Sequence, residues 1–413
     1  MTTQAEIGGA RRTSAGEGPG RARGAMHSAR ISLGRAFEAE SSNYFLLLGL
    51  TLFMVGFGLL MVLSSSYVAA HADGSNFFSK FMNQASYALI GVALMMVISR
   101  VPIRFWQRIS FVALLASCAL QAAVVFTPLG VVVGGNRNWL ALGPIVFQPS
   151  ELMKFALILW LGSFFQRKEA HLTKFSQTII PVLMVAGSVF FLILKGHDFG
   201  TTIIVGMVLF AALFFAGVPI WQLLLLLACA VPGVVALSMG DASRVSRISA
   251  FLDPSQADPN GTGYQPLQAL WGLADGGLFG VGLGNSQSKW SWLPASSTDY
   301  IYAVIGEELG LVGAVLVLAL FFALAIVILR IIRRARTMHA RVISGAMFAW
   351  VIGEAIINIA VVVGLFPGMG VPLPLISSGG TALVSTLAAT GILLAFARQE
   401  GRLAPFATGS VKR

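Results

Sequence analysis

Ten apolar stretches, each near the ~20 residues that an α-helix needs to cross a bilayer, run through this sequence. They begin near Tyr44, Gln84, Ser110, Pro149, Thr178, Phe199, Ile220, Tyr300, Val342 and Leu373. Hydrocarbon offers the backbone no hydrogen-bond partners, so only helices or closed barrels satisfy it from within. These stretches are too long for barrel strands of about 10 residues. Composition agrees, with 56% of residues hydrophobic and 11% charged over 413 positions and a mean hydropathy of +0.80, too apolar for a soluble globular chain. The expected fold is an all-α polytopic membrane protein with ten transmembrane helices.

Positive charge sets the orientation, because loops rich in Lys and Arg stay cytoplasmic. With the N-terminus inside, 21 of the 28 Lys and Arg residues fall on the inner side, 6 on the outer side, and Lys154 falls within a span. Both termini are therefore expected in the cytoplasm, in a multi-pass protein of the cytoplasmic membrane. The net charge of +11 matches anionic membrane lipids at the inner leaflet and calls for no nucleic acid. Residues 1–43, rich in Gly, Ala, Ser and Arg, are expected as a disordered basic tail without the apolar centre of a signal peptide; residues 399–413 form a second cytoplasmic tail. Cys118 and Cys229 both fall inside spans, where they act as small apolar residues rather than as a disulfide or metal pair.

Ionisable groups inside spans are costly and face protein or water. Glu151 and Lys154 share a helix face at i, i+3, and form either a structural ion pair or a grip on a polar substrate. Glu307 and Glu308 lie about two turns into the eighth span, about 100° apart around the helix, and are expected as polar structural support. So are Asn358 and Glu354, at i, i+4 in the ninth span.

The outer connections carry the remaining candidates. Gly134-Gly-Asn-Arg137-Asn-Trp139 offers a guanidinium fork suited to phosphate, or else interface anchors. The short turn Lys195-Gly-His197-Asp198 places Asp198 either as a helix cap or beside a reacting centre. The last outer connection, Gly364 to Thr381, breaks the helical pattern at membrane depth with its Gly and Pro residues. With the large loop it is expected to wall an outward-facing pocket, Ser377, Ser378 and Gly379 lining it. That large loop spans residues 240–298 and ends Lys289-Trp-Ser-Trp-Leu-Pro294-Ala-Ser-Ser-Thr298-Asp299, delivering a carboxylate to the first turn of the eighth span. Asp299 is either a catalytic group or a cap shared with Thr298.

Taken in order, Gly135-Asn-Arg137-Asn-Trp139 with Gln148-Pro-Ser-Glu151-Leu-Met-Lys154, Lys195 to Thr201, Gly276 to Gly284 leading to Asp299 and Glu307-Glu308-Leu-Gly310, and Pro372-Leu-Pro374 to Gly379-Gly380 resemble the SEDS family, which includes FtsW, RodA and SpoVE. The resemblance covers roughly Tyr44 to Arg398 and is closer to the FtsW type, especially the actinobacterial one, than to RodA. It implies a peptidoglycan glycosyltransferase that polymerises lipid II on the outer face of the membrane, at the division septum. It also implies an undecaprenyl-pyrophosphate-linked glycan product, a class B penicillin-binding protein of the FtsI type as partner, and contacts with other divisome proteins. The essential aspartate of the family falls on Asp299. Departures stand at Ser291 and Ala295-Ser-Ser297, where many relatives carry Glu and Glu-Ala-His, at Glu354, where Gln is usual, and at Gly368-Met-Gly370.

Such chemistry needs a base for the acceptor 4-hydroxyl and positive charge for the departing pyrophosphate. Asp299 is the candidate base. Arg137, Lys154, Lys195 and Lys289 are the candidate cations, with no tightly bound cofactor expected and a divalent ion, Mg²⁺ or Mn²⁺, able to share the task. Two other classes of function fit a ten-span chain: a lipid II flippase, which would depend on midplane groups such as Glu151, Lys154 and Glu354, and a non-catalytic divisome scaffold.

Overall fold

The computed structural model describes residues 41–72, 77–133, 135–143, 145–240, 242–253, 261, 263–289 and 293–403. Most of the expected N-terminal tail, the end of the C-terminal one, and residues 290–292 of the approach to Asp299 lie outside these residues. The helices are α1 (Ser42–Ala72), α2 (Phe77–Ile98), α3 (Ile103–Phe126), α4 (Pro149–Arg167), α5 (Phe175–Lys195), α6 (Phe199–Ala216), α7 (Ile220–Met239), α8 (Ala242–Leu252), α9 (Tyr264–Asp275), α10 (Ile301–Arg334), α11 (Met338–Val362) and α12 (Gly380–Leu403). Among the described residues, nine of these are long and apolar enough to cross a membrane. The exception among the expected spans is α4. It has the length, and its 14 buried residues of 19 place it inside the bundle, packed on α3 and α11. A helix walled from lipid by its neighbours can carry Glu151 and Lys154, which explains its lower hydropathy.

Three boundaries differ from the sequence expectation by about two turns. Helices α2 and α3 start at Phe77 and Ile103 because their first turns mix polar and aromatic residues, such as Arg104 and Trp106, which an apolar window skips. Helix α12 starts at Gly380 rather than near Leu373. The run from Val371 to Ile376 is apolar, but Pro372 and Pro374 lack the N–H that a helix interior needs. At its other end α12 continues to Leu403, so the beginning of the expected C-terminal tail is helical.

Two features were not expected. The connection between α3 and α4 is a three-stranded antiparallel sheet, β1 (Gly130–Val133), β2 (Asn136–Leu142) and β3 (Ile145–Phe147), with an irregularity between Val131 and Val133. Helix α10 is also broken at Gly310, whose φ of 68° and ψ of −164° leave the helical region. The glycine-rich run after α9 repairs that break. Leu311 and Val312 donate their N–H groups to the carbonyls of Gly277 and Leu278, while Val281 and Gly282 donate to the carbonyls of Glu307 and Glu308. Backbone groups freed inside a membrane bundle must be satisfied by protein, and here the 277–282 backbone does it. The approach is close enough that a Cβ at Gly276 would meet the Gly306 carbonyl, and one at Gly280 would meet that of Glu308. Leu278 and Phe279, at the tip of the run, are exposed, as suits side chains turned to lipid.

An open apolar groove of ≈ 490 Å³ lies between α6, α7 and α11, lined by Met207, Phe210, Phe348 and Ile352 among others. No candidate site residue lines it.

Candidate active site

The helical break organises the approach to Asp299. Its two glutamates are not free acids but anchors for the end of the large loop. Glu307 accepts from the Ser286 hydroxyl (2.6 Å) and from the backbone N–H groups of Gln287 and Ser288. Glu308 accepts from the Ser64 hydroxyl of α1 (2.7 Å to Oε1) and from Lys289 Nζ at 2.9 Å. The side chains of Lys289 and Glu308 are fully buried, which corrects the expectation that Lys289 grips substrate: its charge is spent on Glu308. The partner Ser64 sits in a polar Ser64-Ser-Ser66 run within an otherwise apolar span, a signal that was available in the sequence.

Asp299 itself closes a chain of turns from Pro294 to Tyr300, directly before α10. The turn is strained where Ala295 adopts φ 59°, and the Ala295 carbonyl accepts from the N–H groups of Thr298 and Tyr300. The segment between α11 and α12 then fastens it. Ser377 Oγ donates to the Thr298 carbonyl (2.6 Å), and the Ser378 N–H donates to the Ser297 carbonyl (2.9 Å). Asn358 Nδ2 donates both to the Asp299 carbonyl (2.7 Å) and to that of Val371 (2.6 Å). Gln84 reaches the Ser377 carbonyl from α2. Asn358, expected as support, and Ser377 and Ser378, expected to line the pocket, thus all hold backbone. Gly379 directly precedes α12, its carbonyl accepting from Leu383 N–H.

The carboxylate emerges beside Gly370, where a Cβ would lie 3.7 Å from Asp299 Oδ2. Asp299 is partly exposed, yet burial by its surroundings pushes its carboxyl up to about 6; the nearby Arg247 pulls it down and Asp198 pushes it up. Tyr300 is buried beside it, and burial together with the Asp299 charge holds its phenol up near 12. The result is a carboxylate poised near neutrality, the condition that a general base needs.

The other expected groups are spread around this point. Asp198 is the N-cap of α6, accepting from Thr201 N–H (2.8 Å) and Thr201 Oγ1 (2.7 Å), with Gln148 Nε2 at 3.1 Å; of its two open roles, the structure displays the cap. A Cβ at Gly200 would meet the Met369 carbonyl, so the 368–371 strip runs between the start of α6 and Asp299. Arg137 lies in β2 and donates Nη2 to the Thr127 carbonyl (2.8 Å), bracing the hairpin. Lys195, at the end of α5, is exposed with its ammonium 5.9 Å from the Phe191 ring centre. Lys154 is sealed in a triad, 2.8 Å from Glu151 Oε1 and 3.5 Å from Glu354 Oε1, over the Trp350 ring. Ser385 donates to the other Glu151 oxygen (3.0 Å). This cluster joins α4, α11 and α12, the structural one of its two open readings, and leaves Lys154 no free face.

Sequence reasoning missed Arg247. It sits on α8, within what was read only as a polar loop, is exposed, and directs Nη1 to the Gly368 carbonyl at 3.5 Å. The signal was present in Arg244, Arg247 and Phe251, which recur at helical spacing.

Residues 44–402 match the model of the family described as cell cycle protein, FtsW/RodA/SpoVE. The chain is 37% identical over 350 residues to a probable peptidoglycan glycosyltransferase FtsW of Coxiella burnetii, covering 84% of this chain and 94% of that one. It is 34% identical to the protein of the same description from Mycobacterium tuberculosis, covering 90% and 71%. Stage V sporulation protein E of Bacillus subtilis is 36% identical, covering 87% and 98%. Among solved structures, a chain of a peptidoglycan synthase complex that coordinates polymerization and crosslinking superposes with a TM-score of 0.71 at 25% identity, covering 86% and 97%. The rod shape determining protein RodA of Thermus thermophilus shares the fold, with a TM-score of 0.64.

Proposed function

This chain belongs to the FtsW/RodA/SpoVE family, and from that premise we propose that it is a division-type peptidoglycan glycosyltransferase polymerising lipid II at the outer face of the cytoplasmic membrane, with Asp299 as general base. Asp299 takes the proton from the acceptor 4-hydroxyl as that oxygen bonds to the anomeric carbon of the donor. The bond from that carbon to pyrophosphate breaks, and the polyprenyl pyrophosphate leaves with the bonding electrons. A single displacement inverts the anomeric centre, from the α-pyrophosphate to a β-1,4 glycan.

One observation carries this reading: a backbone clamped from two directions presents a partly exposed carboxylate, raised to about 6, next to Gly370, which has no side chain to cover it. Among the described residues no group of three or more His, Cys, Asp and Glu side chains converges. Counting buried α4 as the fourth span supports a bundle of ten, and the charge asymmetry supports both termini in the cytoplasm. The relative in a synthase complex supports a crosslinking partner; that this partner is a class B penicillin-binding protein of the FtsI type, and that the protein is enriched at the septum, rests on the likeness to FtsW relatives.

The test is lipid II polymerisation in liposomes by the purified protein with its cognate transpeptidase, with moenomycin present to silence unrelated glycosyltransferases. Asp299→Asn should lower the rate by about 10²–10⁴-fold, the usual worth of a general base, while keeping partner binding. Polymerisation at an undiminished rate would place the base elsewhere.

A further inference from the structure

The reaction at Asp299 releases a diphosphate, and a built site should meet that charge with a cation. The structure has committed most of its outer cations. Lys154 is enclosed by Glu151 and Glu354, and Lys289 is buried on Glu308. Arg137 is held on the hairpin by the Thr127 carbonyl. Arg244 donates to the carbonyls of Leu237 (3.2 Å) and His197 (3.4 Å), and its guanidinium lies 4.9 Å from the Phe199 ring centre. Lys195 is exposed, but it lies at the end of α5 over Phe191.

Arg247 is placed differently. It stands one turn from Arg244 on α8, so the two share a face. Arg244 pins that face to the end of α7 and to the α5–α6 turn, and Arg247 is carried over the 368–370 strip that flanks the Asp299 carboxylate. Its hydrogen bond to the Gly368 carbonyl is long at 3.5 Å, and its side chain is exposed, so the guanidinium fork can turn to a ligand at little cost. A planar fork of N–H donors suits paired phosphate oxygens better than a point charge does.

We propose that Arg247 receives the diphosphate of the polyprenyl-linked sugar donor, with Arg244 as the residue that positions α8. This rests on Asp299 marking the reacting centre. Arg247 then faces the leaving group across the same strip on whose other flank the base stands, and it neutralises the charge that grows there as the anomeric bond breaks. Its charge is already felt at Asp299, where it opposes the effect of burial.

The experiment measures binding of undecaprenyl pyrophosphate and undecaprenyl monophosphate to the full-length chain in complex with its cognate transpeptidase, for wild type, Arg247→Gln, Arg247→Lys and Asp299→Asn. Wild type should prefer the pyrophosphate by about tenfold or more, the order expected of charge-assisted hydrogen bonds. Arg247→Gln should lose most of that preference at an unchanged melting temperature, Arg247→Lys should keep part of it, and Asp299→Asn should keep all of it. An Arg247→Gln protein with the full preference overturns the proposal, and so does an Asp299→Asn protein that loses it equally. If Arg247→Gln does not fold, Arg247→Lys decides: a full preference at that variant counts against a fork-specific contact. Polymerisation by Asp299→Asn would remove the base from Asp299, whereas Arg247 is judged by binding alone.

Discussion

Replacing Lys289 by Met tests whether the end of the large loop is anchored as the structure shows. The ammonium lies 2.9 Å from Glu308 Oε1, with the Ser64 carbonyl at 3.4 Å. Without it, among the described residues the Glu308 carboxylate keeps the Ser64 hydroxyl as its one side-chain donor, in a place where the carboxylate is fully buried. Removing one member of a buried pair typically costs about 3–5 kcal/mol, because the other charge stays behind. Lys289→Met should therefore melt far below wild type in detergent, read by the temperature at which the monodisperse peak is lost. Lys289→Met with Glu308→Gln removes both charges and should recover most of the loss, giving a coupling of about 2 kcal/mol or more, within the range of residues in contact. The recovered double variant should also polymerise lipid II with KM near that of wild type, since neither charge touches substrate. A stable Lys289→Met single variant, or a double variant that folds but has a greatly raised KM, would refute the pairing and return Lys289 to the substrate.

Activity should rise with pH through about 6 as Asp299 ionises, and the groups around it set the direction of any shift. Arg247→Gln should move that limb upward, Asp198→Asn should move it downward, and Tyr300, protonated until about 12, should leave it in place. Because the folded state holds this proton more tightly than a free carboxyl of ordinary pKa 3.8, the stability contributed by the group falls as pH rises from about 4 to about 6. Asp299→Asn should thus melt above wild type at pH 7.5, by an order of 1–3 kcal/mol, and should match it at pH 3.5; equal melting at both would contradict the burial. Gly310→Ala should cost about 3 kcal/mol or more, since φ is +68° there and a Cβ would meet the Gly280 N–H and the Leu278 carbonyl; normal yield and melting would count against the helical break. Asn358→Leu should leave the buried Val371 carbonyl and the part-buried Asp299 carbonyl without this donor, at about 1–3 kcal/mol for the buried one, and should lower kcat more than it raises KM, as measured in the polymerisation assay.

The sequence disclosed the bundle because lipid solvation acts on every residue of a span alike, so a window of apolar residues finds it without knowing any contact. It disclosed Asp299 through its position after a long polar interruption and through the resemblance. What stayed hidden depends on contacts between distant segments. Glu307-Glu308-Leu-Gly310 looks like an unbroken helix until the 277–282 backbone is present to satisfy the freed groups. Lys289 looks like a loose outer cation until Ser64 and Glu308 close on it. The β1–β3 sheet is short and carries polar residues on its middle strand, so no alternation of useful length announced it.

The same comparison explains why the partners of the cations were hard to read from the sequence. A lysine is free only if no acid reaches it, and acids from other elements reach both Lys154 and Lys289: Glu354 is 200 residues from the first, which also pairs with its neighbour Glu151, and Glu308 comes from the helix that follows the large loop. Arg247 escapes this fate through the helix that carries it. Arg244 takes the carbonyls and the aromatic ring that would otherwise immobilise a guanidinium, so the second arginine on that face remains beside Asp299. A cation that must meet a charge appearing only during reaction cannot be neutralised beforehand by a fixed acid. Among the described residues, the pairing pattern therefore separates Lys154 and Lys289, which hold this bundle together, from Arg247, which is exposed beside Asp299.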